Sequence, residues 1–211
     1  MSDETYAGKA VTITIHAGRC IHSRNCVLGQ PDVWLANAKG AWVHPDAAAA
    51  ERVAATAQSC PSGAITYQRH DGGPEEQAPA INIIRVRENG PLAVHADLRI
   101  DGQAVGYRAT LCRCGASRNK PFCDNSHQAA GFQATGEPAS LESAALTRRN
   151  GPLDITPKPN GPLKVDGPAE LCSGTGRSVA RGEQFFLCRC GGSANKPFCD
   201  GSHKRNGFST V

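Results

Sequence analysis

A gapless internal repeat constrains this chain more than any other feature. Residues 111–132 read LCRCGASRNKPFCDNSHQAAGF, and residues 187–208 read LCRCGGSANKPFCDGSHKRNGF. The offset is 76 residues, and 16 of 22 positions are identical. Each copy holds Cys-x-Cys-x8-Cys-x3-His: Cys112, Cys114, Cys123 and His127, then Cys188, Cys190, Cys199 and His203. Two thiols two residues apart in an extended loop can reach one metal ion together. A Cys and a His four apart share one face of a helical turn. Asp124 and Asp200 are placed to cap that turn, and Pro121 and Pro197 stiffen its approach. The nearby glycines let backbone N–H groups come close to sulfur. Three cysteines with one histidine also suit tetrahedral zinc, so a zinc-bound structural module is one reading of the spacing. Disulfides would leave the repeated histidines unexplained.

Composition explains why such a chain needs metal-like staples. Leu, Ile, Val and Phe make up under a fifth of the 211 residues, while the chain carries ten cysteines. That is thin material for a large apolar core, and small domains compensate with metals or disulfides. The formal net charge of +4 is too low for a disordered polyelectrolyte. No apolar run reaches the length of a membrane span. The N-terminus, MSDETYAGKA, lacks a secretory pattern, so a reducing cytoplasm is expected, where clustered cysteines mean metal or redox chemistry. No Walker loop, dinucleotide fingerprint or serine elbow is present. The chain is therefore not expected to be an enzyme.

The motif NGPL recurs at Asn89–Leu92, Asn150–Leu153 and Asn160–Leu163, each time ahead of strand-like residues. The first 70 residues differ. VTITIH (Val11–His16) alternates like a strand. Asp46 opens a helix-forming run as its expected N-cap, and Ala64–Tyr67 reads as a second strand. Asp71–Pro79 is polar and rich in Gly and Pro, hence a linker. The chain is expected to split into residues 1–74 and 75–211. Within the first part, Cys20 and Cys26 form Cys-x5-Cys, and Cys60-Pro61 follows 34 residues on. Bacterial ferredoxins use Cys-x2-Cys-x2-Cys with a distant Cys-Pro, and here Ser23 stands at the middle position. Buried structural thiols are the plain alternative. Cys172 belongs to no motif and reads as a small buried hydrophobe. His16, His44, His70 and His95 have no metal-like spacing. Trp34 and Trp42 read as core or shielding residues.

CRCGGSANKPFCDGSH (Cys188–His203) resembles the CDGSH iron–sulfur domain family, of the tandem-motif type. The first copy departs at Asn125, where the family has Gly. The resemblance implies a 2Fe–2S cluster in each site. Cys112 and Cys114 would hold one iron and Cys123 and His127 the other; Cys188 and Cys190 would be set likewise against Cys199 and His203. The stretch from Tyr6 through CPSGAITY resembles a divergent single-cluster ferredoxin domain, with Cys20, Cys26 and Cys60 as ligands. Three thiols match a 3Fe–4S cluster; a 4Fe–4S cluster needs a fourth donor from Ser23 or His22. The implied fold is α+β: a small ferredoxin-like module followed by a mostly β tandem module with pseudo-twofold symmetry in a monomer, an internal pseudo-dimer.

Cluster charge then accounts for the basic excess. Arg113, Arg118, Lys120, Arg189 and Lys196 lie within the ligand loops and offset it, so neither nucleic acid nor membrane is an expected partner. The implied function is electron transfer to a redox partner protein. Cluster storage or transfer to an apo acceptor, and redox or pH sensing, are the alternatives.

Overall fold

The computed structural model describes residues 3–210, and the chain divides into two compact units after Gln77. Both are α+β; the second is dominated by strand, whereas the first balances strand with helix. In the first unit, β1 (Glu4–Ala7), β2 (Val11–Ile15) and β3 (Ile65–Arg69) form an antiparallel sheet in that order. The alternation in β2 turns Val11, Ile13 and Ile15 inward, each at most 4% exposed. Helix α1 (Asn25–Gly29) is short. Helix α2 (Ala50–Gln58) buries Ala50, Val53, Ala54 and Ala57, a stripe at i, i+3, i+4 and i+7 on an alanine-rich backbone. That stripe packs with the inward face of β2 and with Trp34 and Val43.

Two local expectations change. Asp46 does not cap α2; it lies in a separate 3-10 turn, Pro45–Ala47, and its Oδ1 accepts the Lys9 N–H at 2.7 Å. Ala49 occupies the capping position without a side-chain bond. Strand β1, too polar to alternate, exists because it pairs with β2 from Glu4↔Ile15 to Ala7↔Thr12. Trp34 is wholly buried in the core, whereas Trp42 meets Tyr6 edge-on at 6.5 Å.

The second unit has six strands: β4 (Ile83–Val86), β5 (Leu92–Ile100), β6 (Gln103–Leu111), β7 (Pro152–Pro157), β8 (Leu163–Cys172) and β9 (Ser178–Leu187). Two of the three NGPL segments serve as turns, whereas at the copy starting with Asn150 the chain only bends at Gly151 before entering β7. Asn89 and Asn160 adopt positive φ (48° and 44°) and open β5 and β8. β4 pairs antiparallel with β5, and β7 with β8; β5 then pairs parallel with β7, and β8 with β4. These four pairings close on themselves. β6 extends from β5 and β9 from β8. The inward residues Leu92, Val94, Ala96, Leu98 and Ile100 of β5 meet Leu153, Ile155, Leu163, Val165 and Leu171 in one core. The strands that leave this core, β6 and β9, end at Leu111 and Leu187, immediately before Cys112 and Cys188.

A pair of cysteine–histidine sites

Each strand end delivers its first cysteine already fixed. The Cys112 N–H bonds Pro121 O, and the Cys123 N–H bonds Thr110 O (2.8 and 2.9 Å), folding the loop back beside β6. Cys188 and Cys199 repeat this with Pro197 O and Phe186 O, both at 2.8 Å. Ser117 and Ser193 close the loops by donating to the carbonyls of Phe122 and Phe198, each at 2.7 Å. The donors then fall into pairs. Cys112 and Cys114 sulfurs are 3.7 Å apart, and Cys123 Sγ lies 3.5 Å from His127 Nδ1. In the second copy the separations are 3.8 Å for Cys188–Cys190 and 3.4 Å for Cys199–His203.

Backbone N–H groups point at sulfur in two positions of each loop. Ala116, Asn125, Gly192 and Gly201 donate to Cys114, Cys123, Cys190 and Cys199, all at 3.4 Å. Such bonds favour thiolate over thiol. Burial opposes them: it pushes the Cys123 and Cys188 thiols up to about 11. Within Cys112–Cys114 one thiol stabilises the other's thiolate, so the first proton leaves readily and the second does not. Crowded buried sulfurs of this kind are suited to a bound cation, which supplies the charge that a second thiolate lacks. All ten cysteines are free thiols, so no disulfide competes.

The aspartates act one residue earlier than expected. Asn125 and Gly201, both left-handed, occupy the position before the helical turn. Asp124 Oδ1 still accepts the Ser126 N–H at 3.0 Å, while Oδ2 accepts the Arg118 N–H at 2.9 Å. Asp200 does the same with Ser202 and Ala194 at 2.9 and 2.8 Å. Burial raises Asp124, but these bonds outweigh it and hold the carboxyl near 2. Asn125 (φ 74°) and Gly201 (φ 83°) share a conformation, although His127 then sits on an α-turn, α3 (Ser126–Ala129), and His203 on a 3-10 turn. A Cβ at Gly201 would meet nothing within 4 Å. Gly201→Asn is therefore expected to shift stability by under ~0.5 kcal/mol, since Asn tolerates this region, whereas Gly201→Val should cost ~1–2 kcal/mol. Thermal unfolding of the two variants checks this.

The basic residues do something the sequence reading missed. Arg113 is 1% exposed and donates to four carbonyls: Gly90, Arg87, Ala134 and Thr135. Arg189 reaches the Gly161 and Lys158 carbonyls at 3.0 and 2.6 Å. Lys120 and Lys196 donate to the carbonyls of Ser117 and Ser193. These cations staple the backbone of the ligand loops. The signal was their repetition at equivalent positions of both copies.

The N-terminal cysteines come from three local structures. Cys20 follows a 3-10 turn, Ala17–Arg19; Cys26 lies in α1; Cys60 follows α2 and is 7% exposed. Burial, then the neighbouring Cys60, pushes the Cys20 and Cys26 thiols up once opposing backbone hydrogen bonds are set against them. His22 Nδ1 lies 3.8 Å from Cys20 Sγ, and both His22 and Ser23 are exposed. Among the described residues, no three donors gather tightly enough to enclose a single metal ion. Cys172 is 5% exposed and stands apart in β8. His16, His44 and His70 bond ordinary polar partners: Asp3 and Thr66, the Ala41 carbonyl, and Thr12.

Comparison with known proteins matches residues 89–128 and 160–204 to the family described as iron-binding zinc finger CDGSH type. Residues 6–70 match the divergent 4Fe-4S mono-cluster family. The CDGSH iron-sulfur domain-containing protein 1 of Rattus norvegicus is 34% identical over 53 residues, a quarter (25%) of this chain and 46% of that protein. The Mus musculus protein of the same name matches to the same extent. The chain thus spans about half the length of these relatives. An uncharacterized protein of Escherichia coli K12, YjdI, is 32% identical over 63 residues, 30% of this chain and 82% of that protein. No solved structure matches the chain.

Proposed function

Because the chain belongs to the iron-binding CDGSH family and carries a divergent 4Fe–4S mono-cluster domain ahead of its two copies, we propose that this iron–sulfur protein is a multi-cluster electron carrier. Two 2Fe–2S clusters occupy the tandem sites, each on three cysteines and one histidine, and a 3Fe–4S or 4Fe–4S cluster occupies the site of Cys20, Cys26 and Cys60. Bound there, such clusters supply one-electron chemistry. In this reading the chain turns over no substrate of its own. It works as a cytoplasmic monomer whose tandem halves form a pseudo-twofold unit after a ferredoxin-like module, and its partner is another redox protein.

One observation carries the tandem part. The donors of each site sit as two pairs at 3.4–3.8 Å, with no tight group of three among the described residues. A single tetrahedral zinc wants all four donors at about 2.0–2.3 Å from one point. Two irons, each taking one pair, fit the arrangement better. Arginine staples and sulfur-directed N–H groups hold the pairs in place.

Iron and sulfide analysis with EPR of the anaerobically purified chain tests this. About seven irons per chain are expected with a 3Fe–4S group at the N-terminal site and about eight with a 4Fe–4S group. Zinc in place of iron in the tandem unit would overturn the reading. A second reading, cluster delivery, is favoured by the partly exposed His127 and His203, which are the non-thiol donors of sites whose Cys112, Cys123 and Cys188 are buried. Mixing the loaded protein with an apo-ferredoxin separates the two: a carrier keeps its visible absorption, whereas a donor passes it on.

A further inference from the structure

The two tandem sites touch. Cys114 and Cys190 form an isolated antiparallel bridge, so their Cα atoms lie about 5 Å apart. The approach is close on both sides. A Cβ at Gly115 would lie 2.8 Å from the Cys190 carbonyl oxygen, and one at Gly191 would lie 2.5 Å from that of Cys114. Both glycines have positive φ, 86° and 76°. Each ligand loop therefore shapes its neighbour's backbone as well as its own.

We propose that the Cys-x-Cys loop of each copy is a structural part of the other copy's site, so that the two sites gain and lose their metal groups as one coupled unit. This rests on the reading that both sites hold iron–sulfur clusters. The physical reason is shared ordering. Metal held by Cys112 and Cys114 restrains the loop that Cys190 bridges. The second site then binds to a partner that is already ordered, and less conformational entropy is lost. An empty first site leaves Cys114 free, and that restraint on Cys190 disappears. Linkage makes the effect reciprocal: whatever factor the first site confers on the second, the second confers on the first.

The test uses the full chain. Cys123→Ser removes one donor of the first site and no atom of the bridge; Cys199→Ser is its mirror. The double variant defines the iron held by the N-terminal site alone. Iron per chain is measured, then the decay of visible absorption in the presence of an iron chelator. Coupling predicts that Cys123→Ser loses metal from the intact second site about tenfold faster than the wild type does. Cys199→Ser should speed loss from the first site in turn, and the iron that the two variants retain at equilibrium against graded chelator should fall by one common factor. His127→Ala, which removes the first site's non-thiol donor, should reproduce the Cys123→Ser result. Circular dichroism of the metal-free forms should show equal unfolding midpoints for wild type and variants, which separates coupling from misfolding. A loss of only the mutated site's iron, with unchanged decay at the other, overturns the coupling and leaves the two-cluster reading intact. A wild type holding no more iron than the double variant overturns both.

Discussion

Arg113→Ala is expected to lower the unfolding midpoint of the second unit by roughly 10–20 °C, from a loss of ~3–5 kcal/mol. The guanidinium is buried and satisfies four carbonyls from two separate segments, Arg87 and Gly90 on one side and Ala134 and Thr135 on the other. It also packs over Phe132 at 5.4 Å. Truncation leaves those acceptors without their charged donor, in a place water cannot easily reach. Lysine has one ammonium and no planar fork, so Arg113→Lys should recover less than half of the loss. Arg189→Ala removes bonds to only two carbonyls and should cost about half as much. Differential scanning calorimetry of the three variants reads the order. An Arg113→Ala midpoint within ~2 °C of the wild type would show that the staple is ornamental.

The second large effect is expected from a single methyl group. Gly191→Ala should cost about 3 kcal/mol or more and should strip iron from both tandem sites. Alanine at φ 76° is strained by itself, and its Cβ would stand 2.5 Å from the Cys114 carbonyl oxygen. That oxygen belongs to the bridged loop and cannot retreat without opening the bridge. Gly201→Ala is the control: its φ is just as positive at 83°, but the space around it is open. The control should keep its iron and lose only ~1 kcal/mol. Iron content after anaerobic reconstitution decides the matter. Equal iron in the two variants would mean that the close approach at Gly191 has no role in the sites.

The chain's own residues specified the chemistry of the sites and much of their local geometry. Cys-x-Cys and Cys-x3-His place donors within a few residues of one another, and short spacing translates directly into a 3.4–3.8 Å pair. The alternation of VTITIH and the stripe along α2 follow from side-chain periodicity, which is also local. Asp46 shows where such reasoning stops: a good capping residue next to a helix-forming run went instead to the Lys9 N–H, 37 residues away. Only the tertiary structure decided that partner. It also decided the parallel pairings of β5 with β7 and β4 with β8, the four carbonyls gathered around Arg113, and the bridge from Cys114 to Cys190. These contacts join residues about 20 to nearly 90 positions apart in the chain. No local pattern encodes them, because they exist only once sheet pairing has brought distant segments to the same place and burial has made every unsatisfied carbonyl there costly.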